Sequence, residues 1–139
     1  MKTSSNISPK LKQFITNFYK ASDSPPPATA ADPYLDYFTS SSPLLMGLKK
    51  VTGHEEITGL RKAMWEKVTN RHHVVNNVAE IEPNQILLNG YVDYTLINGK
   101  AVTTDWAGFM KLVEEGDSYK MEYYQVYLDP SAAAKALSE

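Results

Sequence analysis

The stretch NRHHVVNNVAEIEPNQILLNGYVDYTLINGKAVTTDWAGFMKLVEEGDSYKMEYYQVYL, residues 70–128, decides the fold. Its apolar residues recur with a period of two, the spacing of strands that show one face to a core. Turn signals cut it into four pieces. Pro83-Asn84 ends a strand over 71–81, Asn98-Gly99 ends one over 85–97, and Glu115-Gly116-Asp117 separates 100–113 from 118–128. Asn-Gly between alternating runs is a strong hairpin signal, because both residues accept the positive φ of a tight turn. Three successive hairpins make an antiparallel meander. At roughly 3.3 Å per residue these strands approach 35–45 Å, so the sheet must bend. Gly90 and Gly108 are the expected bulge sites.

The residues before this meander read as helices. Ser8-Pro9 is a start signal, and Ile7, Leu11, Phe14, Ile15, Phe18 and Tyr19 follow at helical spacing to about Ala21. Ser24-Pro25-Pro26-Pro27 breaks that helix and carries the chain on as a stiff connector. A short helix is expected over 32–38 and a short strand over 44–51. Thr52 with Glu55 reads as a capping box opening a third helix, whose buried stripe is Ile57, Leu60, Met64, Trp65 and Val68. Helices that precede an antiparallel sheet must cover one of its faces. The expected fold is therefore α+β: a curved antiparallel sheet wrapped over N-terminal helices, a cone whose open end is a pocket.

Composition narrows the function. The chain has 139 residues, 42% of them hydrophobic and 22% charged, enough for one domain over residues 1–139. A net charge of -2 without a basic cluster argues against nucleic acid and against an anionic membrane surface. The absence of cysteine excludes thiol chemistry and disulfides. Neither an apolar signal region nor a stretch of membrane-spanning length is visible, so a cytoplasmic protein is expected. Adjacent His72 and His73 point to opposite faces of a strand and cannot share one metal, so no metal site is expected. No glycine-rich phosphate loop or Gly-x-Ser-x-Gly elbow is present.

The order of elements resembles the cone-shaped fold of the nuclear-transport-factor-2-like superfamily, which includes SnoaL-like cyclases, ketosteroid isomerases and scytalone dehydratases. Thr52-Gly53-His54-Glu55-Glu56-Ile57 is similar to the family's entry into its third helix. Tyr127-Leu128-Asp129-Pro130 followed by a tail helix is similar to its closing segment. Arg71-His72-His73-Val74-Val75-Asn76-Asn77 resembles the His-x-x-x-Asn strand start of SnoaL-like and dehydratase members. The resemblance covers about 11–137. The acid of the isomerases has no counterpart in Leu44-Leu45-Met46-Gly47-Leu48, and that of the SnoaL cyclases falls on Gln125 and Val126. The dehydratase pattern places its strand histidine on His73 and its first-helix tyrosine on Tyr19, while its second histidine falls near Asn98 and its acid near Lys20.

This resemblance implies a cofactor-independent lyase or isomerase acting on a small hydrophobic or aromatic, polyketide-like molecule. His73 would take a proton from carbon next to a carbonyl, and Tyr19 would hydrogen-bond the oxygen as charge develops. Asp105 is the first candidate for a carboxylate beside His73, and Asp93 the second. Asp93, Trp106, Tyr123, Phe109 and Trp65 are candidates to line the pocket. The competing reading is a non-catalytic module of the same fold that binds a ligand or dimerises. A homodimer is expected under either, because both faces of the strand after His73 are weakly charged.

Overall fold

In the computed structural model, which describes residues 1–139, the meander forms the body of a seven-stranded sheet. Its long strands are β4 (Val68–Glu82), β5 (Gln85–Leu96), β6 (Ala101–Glu115) and β7 (Ser118–Leu128), paired antiparallel in that order. A short β1 (Lys2–Thr3) adds in parallel to β4 at one edge. At the other edge β2 (Pro43–Met46) runs parallel to β7 and turns back into β3 (Lys49–Thr52). The single strand expected over 44–51 is therefore a hairpin. It folds at Gly47, whose φ of 59° is one that a side chain resists.

Three helices and a 3-10 turn pack with this sheet: α1 (Pro9–Ser22), the turn Pro33–Tyr37, α2 (Gly53–Trp65) and α3 (Ser131–Ser138). Ser8 caps α1 by accepting from the Leu11 amide at 3.1 Å. The expected capping box on α2 is displaced by one residue. Glu56, not Glu55, reaches back to the Thr52 amide at 3.0 Å, and the Thr52 side chain makes no capping bond. Leu11, Phe14, Ile15 and Phe18 of α1 form the inner layer against the sheet, all but excluded from solvent. The Phe18 ring meets those of Tyr34, Tyr37, Phe38 and Tyr124 at centroid distances of 5.4 to 5.8 Å. Such contacts fix ring orientation as well as burying area.

One of the two expected glycines faces a bulge. Gly90 stands opposite Val75, and the next paired residue of β4 is Asn77, so Asn76 is the extra residue of a bulge. A Cβ at Gly90 would lie 1.8 Å from the Val74 carbonyl oxygen. Gly108 sits in unbroken register and instead makes room for Leu88 and Tyr124. β4 shifts register at two further places, Val68/Asn70 and Glu80/Glu82, and on β7 another irregularity, with Lys111 opposite Tyr123 but Leu112 opposite Met121, leaves Glu122 as the odd residue. It reverses the alternation along that strand. Tyr119 and Tyr124 point inward while Tyr123 and Tyr127 point outward, where unbroken alternation would have kept Tyr119, Tyr123 and Tyr127 on one face.

Candidate active site

The inner face of β4 carries Arg71 and His73, and the outer face carries His72, opposite Asp93. His73 thus points toward the helices, with 14% of its side chain exposed. The acid that meets it is Asp23, the C-cap of α1. Asp23 accepts from the His73 ring Nδ1 at 2.5 Å and, through its other oxygen, from the His73 backbone amide at 2.8 Å. The ring packs on those of Tyr19 and Trp106, at 5.1 and 5.7 Å, which also touch each other. A carboxylate holding Nδ1–H fixes the tautomer that leaves Nε2 as a lone pair. Nε2 makes no hydrogen bond to the protein. Burial pushes the His73 pKa below its ordinary 6.5, outweighing the pull of Asp23, and the Arg71 guanidinium adds to the effect. The imidazole is a neutral base at neutral pH.

Two arginines hold Asp23 in place by gripping the end of α1. Arg61, only 4% exposed, donates to the carbonyls of Ala21, Ser22 and Ser24 at 3.2, 3.1 and 2.6 Å, and to the Asp32 carboxylate at 2.6 Å. Arg71 donates through Nη2 to the Ser22 carbonyl and, at 3.0 Å, to the Ser22 hydroxyl. Its Nε stands 3.9 Å from Asp23. The last carbonyls of a helix have no partner within it and carry the negative end of its dipole, so cations there stabilise it. Asp32 in turn caps the 3-10 turn by accepting from the Tyr34 amide.

His73, Arg71, Arg61 and Ser22 border a cavity inside the cone, of about 30 Å³, enough for one or two water molecules. The open pocket expected from the sequence is closed down by aromatic and aliphatic side chains. Tyr34, Tyr94, Tyr124, Trp106, His73 and Arg71 line it together with Leu44, Met46, Leu60, Met64, Val126 and Leu128. The methionines among them are half-buried, and their unbranched side chains are flexible. Tyr19 is in contact with His73, but its hydroxyl is hydrogen-bonded to that of Tyr124 at 2.8 Å, and it is Tyr124 that lines the cavity. Burial raises the pKa of both tyrosines, and that of Tyr34 to about 12, so all three hydroxyls stay protonated as donors.

Several expected site residues lie elsewhere. Asp105 is on the outer face with Ala107 and Phe109, because Thr104, Trp106 and Gly108 take the inner positions of β6. Asp93 is also outside, accepting from the Thr103 hydroxyl at 2.6 Å. Phe109 and Tyr123 pack on each other on that face, beneath Lys111. Trp65 lies under the Arg71 guanidinium at 5.0 Å, outside the cavity lining. Trp106 alone of the expected pocket residues borders the cavity. Asp23, Tyr34 and Tyr94 were not identified from the sequence as site residues. No group of three or more acidic or imidazole side chains is arranged to hold a metal ion, and no helix is long and apolar enough to cross a membrane.

Neither a family model nor a curated protein matches this sequence. Solved structures match the fold. A candidate SnoaL-like polyketide cyclase from Jannaschia sp. CCS1 superposes with a TM-score of 0.71 at 14% identity, covering 97% of this chain and 98% of the other. Nuclear transport factor 2 from Cryptosporidium parvum gives 0.67 at 16% identity, covering 91% and 100%. The hexachlorocyclohexane dehydrochlorinase LinA type 2 gives 0.69 at 8% identity, covering 86% and 83%. The chain has the α+β cone fold of nuclear-transport-factor-2-like proteins.

Proposed function

We propose that this protein is a lyase or isomerase that removes a proton from carbon next to a carbonyl, on a small hydrophobic or aromatic metabolite held in the cone. The observation that carries the reading is the Asp23–His73 pair, with Nδ1 tied to the carboxylate and Nε2 free. Nε2 takes the proton, and the electron pair moves onto the carbonyl oxygen. The Tyr34, Tyr94 and Tyr124 hydroxyls and Arg71 are the donors available to stabilise that oxygen. Loss of a leaving group from the neighbouring carbon then completes an elimination. Return of the proton to a different carbon completes a double-bond migration. The fold supports the reading to the extent that a dehydrochlorinase is built on it.

In heavy water the protein should wash deuterium into small ketones, followed by proton NMR. His73→Gln should slow this at least about a hundredfold. The rate should rise with pH as His73 loses its proton, with a midpoint below 6.5. Equal rates in the two proteins would remove His73 from the chemistry.

A second reading concerns assembly. Leu87 and Tyr127 are 44% and 52% exposed on the outer face, beside Phe109 and Tyr123. Such a patch favours a homodimer formed through the sheet. Leu87→Glu should then convert dimers to monomers in sedimentation velocity runs, and a wild type that sediments as a monomer would dismiss the dimer.

A further inference from the structure

The cavity wall has an imbalance of hydrogen-bonding character. Two arginines line it, together with three tyrosines, a tryptophan, a histidine and a serine, but no aspartate, glutamate, asparagine or glutamine. Both nearby carboxylates are consumed behind the wall, Asp23 by His73 and Asp32 by Arg61 and the Tyr34 amide. The donors are not all used. Trp106 is 4% exposed and Arg71 is 6% exposed, yet the Trp106 Nε1 and Arg71 Nε hydrogens have no acceptor. The hydroxyls of Tyr34 and Tyr94 make no hydrogen bond to the protein. A buried donor without an acceptor is costly, and all four of these residues border the cavity, so the wall calls for an acceptor that a guest would bring.

The distribution is also one-sided. Arg71, His73, Tyr94 and Trp106 come from β4, β5 and β6, whereas Leu44 and Met46 come from β2 at the far side of the sheet order, with Leu60 and Met64 of α2, whose Arg61 is already held by Asp32. Tyr124 of β7 stands beside Leu44, between the two groups. The geometry points to a guest with a planar oxyanion head, a carboxylate or an enolate, directed at Arg71 and the tyrosines, and an apolar tail toward β2 and α2. This deepens the reading of the same site given above, and rests on it in taking the cavity as the place where a guest binds. The head fits the existing space of about 30 Å³, and the tail enters by displacing Met46 and Met64.

Calorimetric titration with butyrate, butyramide and butylamine near pH 7 tests the head group. Butyrate should bind about tenfold or more tighter than butyramide, and butylamine should not bind measurably. 2,4-Pentanedione separates the two oxyanion sources. Tighter binding than butyrate, growing as the pH rises toward its own ionisation, assigns the site to an enolate, and weaker binding assigns it to a carboxylate. The double variant Tyr34→Phe/Tyr94→Phe removes two hydroxyls that the fold does not use. It should weaken butyrate about tenfold while the melting temperature stays unchanged or rises. Equal affinity for butyrate and butyramide, no binding of any probe, or undiminished binding in the double variant would each overturn the proposal. His73→Gln keeps the two proposals apart, because it should abolish deuterium exchange and retain butyrate binding. Anion-selective binding by a wild type that exchanges nothing would remove the proton-abstraction reading alone.

Discussion

Replacing Asp23 by asparagine should abolish proton abstraction and leave a protein that folds but is weakened. The carboxylate accepts two hydrogen bonds from His73, at 2.5 Å from the ring and 2.8 Å from the backbone amide, and lies 3.9 Å from Arg71. An asparagine of the same shape has one oxygen to accept and an amino group that must face a donor. The imidazole then turns over its tautomer. Nδ1 accepts from the new amide, Nε2 carries the hydrogen, and no lone pair is left for the substrate. Loss of the correct tautomer alone lowers turnover by about 10⁴-fold in hydrolytic triads, and a similar loss is expected in deuterium exchange. The stability cost should be about 3 kcal/mol, because Arg71 loses a buried counter-charge. Urea denaturation measures that cost, and nitrogen-15 NMR reports the tautomer directly. A variant that keeps hydrogen on Nδ1 and exchanges at the wild-type rate would show that Asp23 has no part in orienting the base.

Gly90→Ala should produce the largest loss of stability of any single methyl addition considered. The new Cβ would sit 1.8 Å from the Val74 carbonyl oxygen and 2.9 Å from its carbon. Both are backbone atoms of the neighbouring strand, so no rotamer change relieves the clash. Either β4 and β5 separate or the bulge at Asn76 is lost, and with the bulge goes its share of the bend. A loss above about 4 kcal/mol is expected, against a total of about 5–15 kcal/mol for an ordinary domain. Gly108→Ala is the control. Its Cβ would lie 3.2 Å from the Leu88 Cδ2, the end of a flexible side chain, and the cost should be about 1 kcal/mol. Thermal melts of the two variants decide the matter. A Gly90→Ala protein melting within a few degrees of wild type would mean that the bend is fixed elsewhere.

The meander was legible because its signals are local. Asn98-Gly99 sets a hairpin by its own backbone preferences, and period-two alternation needs only neighbours in sequence. The inward direction of His73 rested on the same rule. That rule also contained a warning about Asp105: on an unbroken strand Asp105 and Trp106 cannot both face the pocket, and burying the indole sends the carboxylate outward. Tyr123 was beyond reach, because the extra residue Glu122 that reverses β7 leaves no mark in composition. Asp23 was missed for a different reason. In sequence it is an acid at the start of a proline-rich connector, like many solvated loop residues. Its role appears only when the end of α1 is brought against β4. The hold of Arg61 on the end of α1 was likewise hidden, since a charge within an amphipathic helix usually belongs to the solvated face.

The His73 Nδ1 bond joins residues fifty positions apart in the chain, and Arg61 bridges the same region from a third segment. Contacts of such long range form only after the intervening loops have closed, and their entropic cost falls due before any of them is rewarded. A half-folded chain can own its hairpins and its first helix and still have no base. Proton transfer by this molecule would therefore be all-or-none, a readout of the completed native state that no partly assembled intermediate could imitate.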